Sequence, residues 1–255
     1  MVKRRVSKKK KIVAESKYLK TGIDGLDSLL DKGIPKGSAI LVAGGTGSGK
    51  TIMCLQILKN AVKGGKKCFY MSLEESKERL EQHMKDFGWN KKGDGKLIIK
   101  RFNSFDIARS VDALLTKARG ELLIDIEPVI FPRGFRPDII VVDSLSAIAS
   151  AFVGKEENYR SYIEQLFRFF EGLGANSFLV TETEETPSQF SRSGVEEFLA
   201  DGVIVLYNIR KGDMRENAIE ILKMRGTKHQ KKVVAMQITN TGIAVYPEQQ
   251  VFSEL

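Results

Sequence analysis

The chain has 255 residues, 42% of them hydrophobic, a formal net charge of +9 and two cysteines. It can bury a full core, as one large α/β domain or two small ones, which excludes a disordered chain. No apolar run reaches the ~18 residues of a membrane span, and the basic N-terminus lacks the apolar stretch of a secretory signal. Cys54 and Cys68 fall in apolar surroundings and read as free buried thiols, no metal-ligand spacing occurs, and the expected location is the cytoplasm. The basicity is local. Residues 1–20 hold nine Lys or Arg against Glu15 alone, so the rest of the chain is nearly neutral. Such a tail can contact nucleic acid or an acidic partner, or it can be a solvated, disordered extension.

After the tail, Thr21 to Leu30 reads as a turn and a short helix whose Ile23, Leu26, Leu29 and Leu30 share one buried face. Residues 33–37 turn into a short apolar strand, Ser38 to Ala43. A glycine loop follows, then a helix from Thr51 to Val62 that Gly64-Gly65 ends. Cys68 to Ser72 is a second buried strand, Glu75 to Phe87 a helix, Leu97 to Arg101 a third strand, and Asp106 to Arg119 a helix. Residues 121–137 are less regular. Asp138 to Asp143 is a strongly apolar strand, Glu156 to Glu171 a helix, and Ser177 to Glu182 a fifth strand, with a polar loop over 183–193. Val203 to Ile209, Ile219 to Met224, Val233 to Ile238 and Gly242 to Tyr246 read as strands with no helices between them. The early alternation predicts an α/β fold, a mostly parallel twisted sheet with helices on both faces. The late strands predict antiparallel hairpins at the C-terminal edge.

The first strand runs into Gly44-Gly45-Thr46-Gly47-Ser48-Gly49-Lys50-Thr51, which fits G-x-x-x-x-G-K-[ST]. Backbone N–H groups must turn inward on phosphate oxygens, which needs the positive-φ conformations that glycine tolerates. The helix N-terminus adds free N–H groups and its dipole. Lys50 supplies a point charge for the β- and γ-phosphates of ATP, and the Thr51 hydroxyl a ligand for Mg2+. A magnesium-bound triphosphate also needs a carboxylate at a neighbouring strand end, and Ile139-Ile140-Val141-Val142-Asp143 offers Asp143. Hydrolysis needs a base to orient water. Glu74 and Glu75 follow the second strand on the same sheet edge, and Glu74 is the nearer to the strand end.

These blocks, with Thr21-Gly22-Ile23-Asp24-Gly25-Leu26-Asp27, Phe87-Gly88-Trp89, Gly194-Val195-Glu196-Glu197-Phe198, residues 223–229 and residues 238–243, resemble the KaiC-like branch of the RecA/RadA ATPase superfamily. The likeness runs from about residue 20 to 247. It implies a RecA-like P-loop core over 20–248, between a basic tail (1–19) and a short C-terminal tail (249–255). It implies a homo-oligomeric ring, commonly a hexamer, with ATP between neighbours, bound in the loop from Gly45 to Ile52. It also implies that Lys223 and Arg225, flanking Met224, reach the neighbour's ATP, and that Thr227, His229, Thr239 and Asn240 line the nucleotide from that neighbour. From the residues alone, alternation with Leu222 and Met224 sends both cations off one strand face, which also fits a plain solvated face. KaiC carries two such domains in tandem; this chain has one. The favoured reading is a ring-forming ATPase of regulatory or mechanical type acting on a protein partner the sequence does not name. Two alternatives stay open: an autokinase that phosphorylates its own Ser or Thr, and a DNA-binding recombinase-like accessory protein using the basic tail.

Overall fold

The computed structural model describes residues 16–89, 95–117, 131–185, 187 and 189–251. Most of the expected N-terminal tail, the end of the helix expected to reach Arg119, and residues 252–255 lie outside them. Pairing begins slightly earlier than expected. β1 (Tyr18–Leu19) pairs antiparallel with β2 (Ile34–Pro35), bracketing a 3₁₀ turn at Leu26–Ser28. Leu26 of that turn and Leu29 and Leu30 just after it are buried, as the spacing predicts.

Nine strands form one sheet. β3 (Ala39–Gly44), β4 (Cys68–Ser72), β5 (Leu97–Arg101), β6 (Ile139–Asp143), β7 (Asn176–Glu182) and β8 (Gly202–Lys211) pair in parallel. β9 (Met214–Met224), β10 (Val234–Thr239) and β11 (Gly242–Gln250) add antiparallel at one edge, so the last strand runs into the expected C-terminal tail. The spatial order is β11-β10-β9-β8-β3-β7-β6-β4-β5. β3 sits near the centre with all six residues buried, and their continuous apolar character is what two covered faces require.

α1 (Lys50–Lys63) and α2 (Lys77–Asp86) cover one face, where Cys54, Leu58, Leu80 and Met84 meet Tyr70, Val141 and Val180. α3 (Ser104–Lys117), α4 (Leu145–Ser150) and α5 (Glu156–Leu173) cover the other, where Val111, Ile148, Ile163 and Phe170 meet Phe69, Met71, Ile140 and Val142. Caps set the boundaries. Ser76 accepts from Arg79 N to start α2, and Gly174, at φ 65°, ends α5. α4 and α6 (Val195–Leu199) are not predicted by the periodicity, being only six and five residues long.

One expectation fails in detail. Val203 pairs with Lys223 and Ile204 with Ile221, leaving Leu222 as the extra residue of a β-bulge. The bulge breaks the alternation, so Leu222 is 40% exposed while Met224 is 5% exposed.

Candidate active site

The site grows out of the end of β3. At Gly44 a Cβ would stand 2.3 Å from Leu206 O and 2.7 Å from Ser48 Oγ, so only glycine lets the strand pass β8 and enter the loop. Gly47 and Gly49 take φ 76° and 97°, turning the chain into α1. The N-cap of α1 is Gly49 and makes no side-chain hydrogen bond, which leaves the first-turn N–H groups free for an anion. Ser48 Oγ is buried without a partner in the same loop. Lys50 Nζ donates to Gly44 O at 2.8 Å and Gly45 O at 2.9 Å, folding over the cradle that a phosphate would fill. Burial lowers its pKa, against the pull of Glu182, Asp143 and Glu74. The loop, with Thr46, Thr51 and Ile52, lines a cavity of about 530 Å³. These residues fit a bound triphosphate.

Asp143 ends β6 on the same edge. Its Oδ2 accepts from Thr51 Oγ1 at 2.8 Å and from Tyr70 OH at 2.5 Å. Burial raises its pKa, opposed by those two hydrogen bonds. Among the described residues no three His, Cys, Asp or Glu side chains gather as a metal site. A magnesium ion here would therefore depend on Thr51, Asp143, water and phosphate oxygens, a donor set suited to that hard cation.

The two glutamates differ. Ser144 Oγ donates to Glu74 Oε1, holding Glu74 beside Asp143. Glu75 Oε2 is paired with Arg79 at 3.0 Å and lies 3.8 Å from His83 Nε2. Both line the cavity, with His83, Asp86, Phe87 and Glu182, which the sequence reading did not place there. Glu182 carried a usable signal, an acid ending a strand on the phosphate edge as Asp143 does.

Lys223 and Arg225 stand at the other end of the sheet. Gly202 pairs with both Ile40 and Met224, so these cations flank the start of β3, whereas the loop leaves its end. Four residues of strand, roughly 13 Å, separate the two levels. Lys223 Nζ donates to the carbonyls of Ala200 (2.6 Å), Glu197 (3.1 Å) and Phe198 (3.4 Å), and burial lowers its pKa. Arg225 donates to Phe198 O at 3.2 Å and lies 3.6 Å from Asp201. Both cations thus grip the C-terminal end of α6, leaving Phe198 76% exposed beside them. The anchor of α6 is Glu196, fully buried and bonded by Tyr159 OH and Ser193 Oγ at 2.6 Å each.

Thr227 and His229 lie at that same end, where His229 bridges to Leu30 and its Nε2 is buried without a partner. Thr239 and Asn240 do not. They form the tip of the β10–β11 hairpin, and Ile238 just before them lines the chain's own phosphate cavity. Gln56 of α1 fixes this hairpin, donating to Ile243 O at 3.1 Å and accepting from Ile243 N at 2.7 Å. The four polar residues thus fall in two groups, Thr227 and His229 beside Leu30, and Thr239 and Asn240 just after Ile238 at the hairpin tip.

A parallel sheet edged by antiparallel strands, with a phosphate loop leaving its central strand, defines a RecA-like P-loop protein. The model of the family "ATPase: KaiC" matches residues 19–250, and the chain belongs to that family. It is 34% identical over 233 residues to "Circadian clock protein KaiC3" of Synechocystis, covering 90% of this chain and 45% of that one. The chain thus spans about half the length of such clock relatives. It is 33% identical to a "UPF0273 protein" of Thermotoga maritima, covering 91% of this chain and 97% of that one. The crystal structure of "KaiC-like protein PH0186" from Pyrococcus horikoshii superposes with a TM-score of 0.72 at 31% identity, covering 91% of this chain and all of that one.

Proposed function

We propose that the protein is a magnesium-dependent, cytoplasmic ATPase that works as a ring of identical subunits, commonly six, each offering its Arg225 edge to the next subunit's phosphate loop. One observation carries the reading: loop, Asp143 and Glu74 share one end of the sheet, while Arg225 is held at the other. A head-to-tail ring joins the two ends, because a heterologous contact repeats one edge against the other until it closes.

In this reading Lys50 exchanges its two loop carbonyls for phosphate oxygens, and the free N–H groups of α1 hold the phosphate chain. Thr51 and Asp143 would hold magnesium, which would supply charge neutralisation to the phosphates when bound. Glu74 accepts the proton of the attacking water as its oxygen bonds to the γ-phosphorus and the bond to the β-phosphate oxygen breaks. Glu75, tied to Arg79, braces the turn between β4 and α2. Arg225 of the adjoining copy neutralises the charge that spreads over the transferring group. Lys223, already spending its donors on three carbonyls, holds α6 in place beneath Arg225.

The test is ATP hydrolysis measured per subunit across protein concentration. Specific activity should rise as copies assemble, in step with mass measured by light scattering. Full activity in a dilute monomer contradicts the reading.

A further inference from the structure

Tyr70 stands in the middle of β4, a strand whose five residues are all buried. Its ring packs in the core beneath α1, and a phenol that deep needs a partner for its O–H. The sheet register supplies one. β4 and β6 run parallel, with Tyr70 opposite Val141 and Ser72 opposite Asp143. Asp143 is thus two residues further along the adjacent strand and on the same face, a diagonal that an aromatic side chain spans. The Tyr70 hydroxyl donates to Asp143 Oδ2, the oxygen that also accepts from Thr51. One carboxylate oxygen receives a donor from the core and a donor from the phosphate-loop helix. A threonine hydroxyl can bind a cation through its oxygen and still donate its proton, so the Thr51 contact is compatible with a bound metal.

We propose that Tyr70 is a positioning residue for magnesium: its hydroxyl fixes the Asp143 carboxylate against Thr51, so the two ligands are already aligned when the metal arrives with the phosphates. Phenylalanine would fill the same core space and leave this carboxylate oxygen with the Thr51 donor but without the one from the core. Outer groups that orient metal ligands commonly set 10- to 100-fold in metal affinity or activity. The proposal rests on the reading of Thr51 and Asp143 as the magnesium site, and its test separates the two.

Trp89 is the single tryptophan of the chain and stacks on Phe87, with ring centroids 4.7 Å apart. Phe87 lines the phosphate cavity, so Trp89 fluorescence is the probe chosen for nucleotide binding to the 255-residue chain. A non-hydrolysable ATP analogue is titrated in EDTA and again in saturating magnesium, for the parent, Tyr70→Phe and Asp143→Asn. The readout is the gain in affinity that magnesium brings. Tyr70→Phe should keep the metal-free affinity and lose about 10-fold or more of the gain. An undiminished gain in Tyr70→Phe, with a reduced one in Asp143→Asn, overturns the role of Tyr70 and leaves the metal site standing. An undiminished gain in both overturns the metal site as well. Loss of metal-free binding in Tyr70→Phe shows that the hydroxyl supports the whole pocket, and it overturns the metal-specific role.

Discussion

The two ends of the parallel sheet differ in shape and charge. The end where strands finish is acidic and concave: Glu74, Asp143 and Glu182 surround a loop whose only cation, Lys50, leans on its own backbone. The end where strands begin carries cations with no phosphate to meet, Lys223 and Arg225, strapped to the carbonyls of α6 beside an exposed Phe198. The fold keeps the two ends apart, and the proposed ring is what would bring them together. The lesson is that a residue's place along a strand, not its place in the chain, decides which end of the sheet it joins. Thr239 and Asn240 follow Lys223 closely in sequence, yet they form a hairpin tip next to Ile238, which lines the phosphate cavity.

The largest expected effect comes from emptying the first end. Lys50→Ala should abolish hydrolysis while far-UV circular dichroism stays unchanged. Undiminished turnover would remove this loop from the mechanism. Next, Arg225→Ala should lower turnover about 1,000-fold or more, with analogue affinity, read by Trp89, less affected. Loss of binding without loss of turnover would invert the proposed division between the ends. Glu74→Gln should slow hydrolysis about 100- to 10,000-fold and leave binding in place, with Glu75→Gln milder. Equal effects would show that the Arg79 pairing does not set the glutamates apart. The smallest effect on chemistry is expected from Gln56→Leu. It strands Ile243 N and O in the core, at about 1–3 kcal/mol for each unsatisfied group, and should lower the melting temperature. An unchanged melt would mean that Gln56 is not what ties the hairpin to α1.

Much of the first end is legible in the sequence because its determinants are local. An apolar strand, a glycine loop and a helix are consecutive, and Asp143 announces itself by ending an apolar run. Glu74 and Glu75 follow from the same strand-end logic. What escapes is set by pairing between distant segments. Tyr70 meets Asp143 only because β4 and β6 are neighbours in register. The bulge at Leu222, which undoes the simple alternation before Lys223, comes from the way β9 fits β8. α6 is too short for a periodic signal, and its grip on both cations depends on a buried Glu196 that reads in sequence as an ordinary surface acid.

The central claim is that the two ends act together across copies, and one mixing experiment tests it directly. Lys50→Ala is defective in its own loop but still carries Arg225. Arg225→Ala has an intact loop but no arginine to give. When the two are co-assembled, junctions that set an intact loop against a retained Arg225 should recover ATP hydrolysis that neither variant shows alone. No recovery, in mixtures shown by native mass spectrometry to contain both variants in one assembly, would contradict the account.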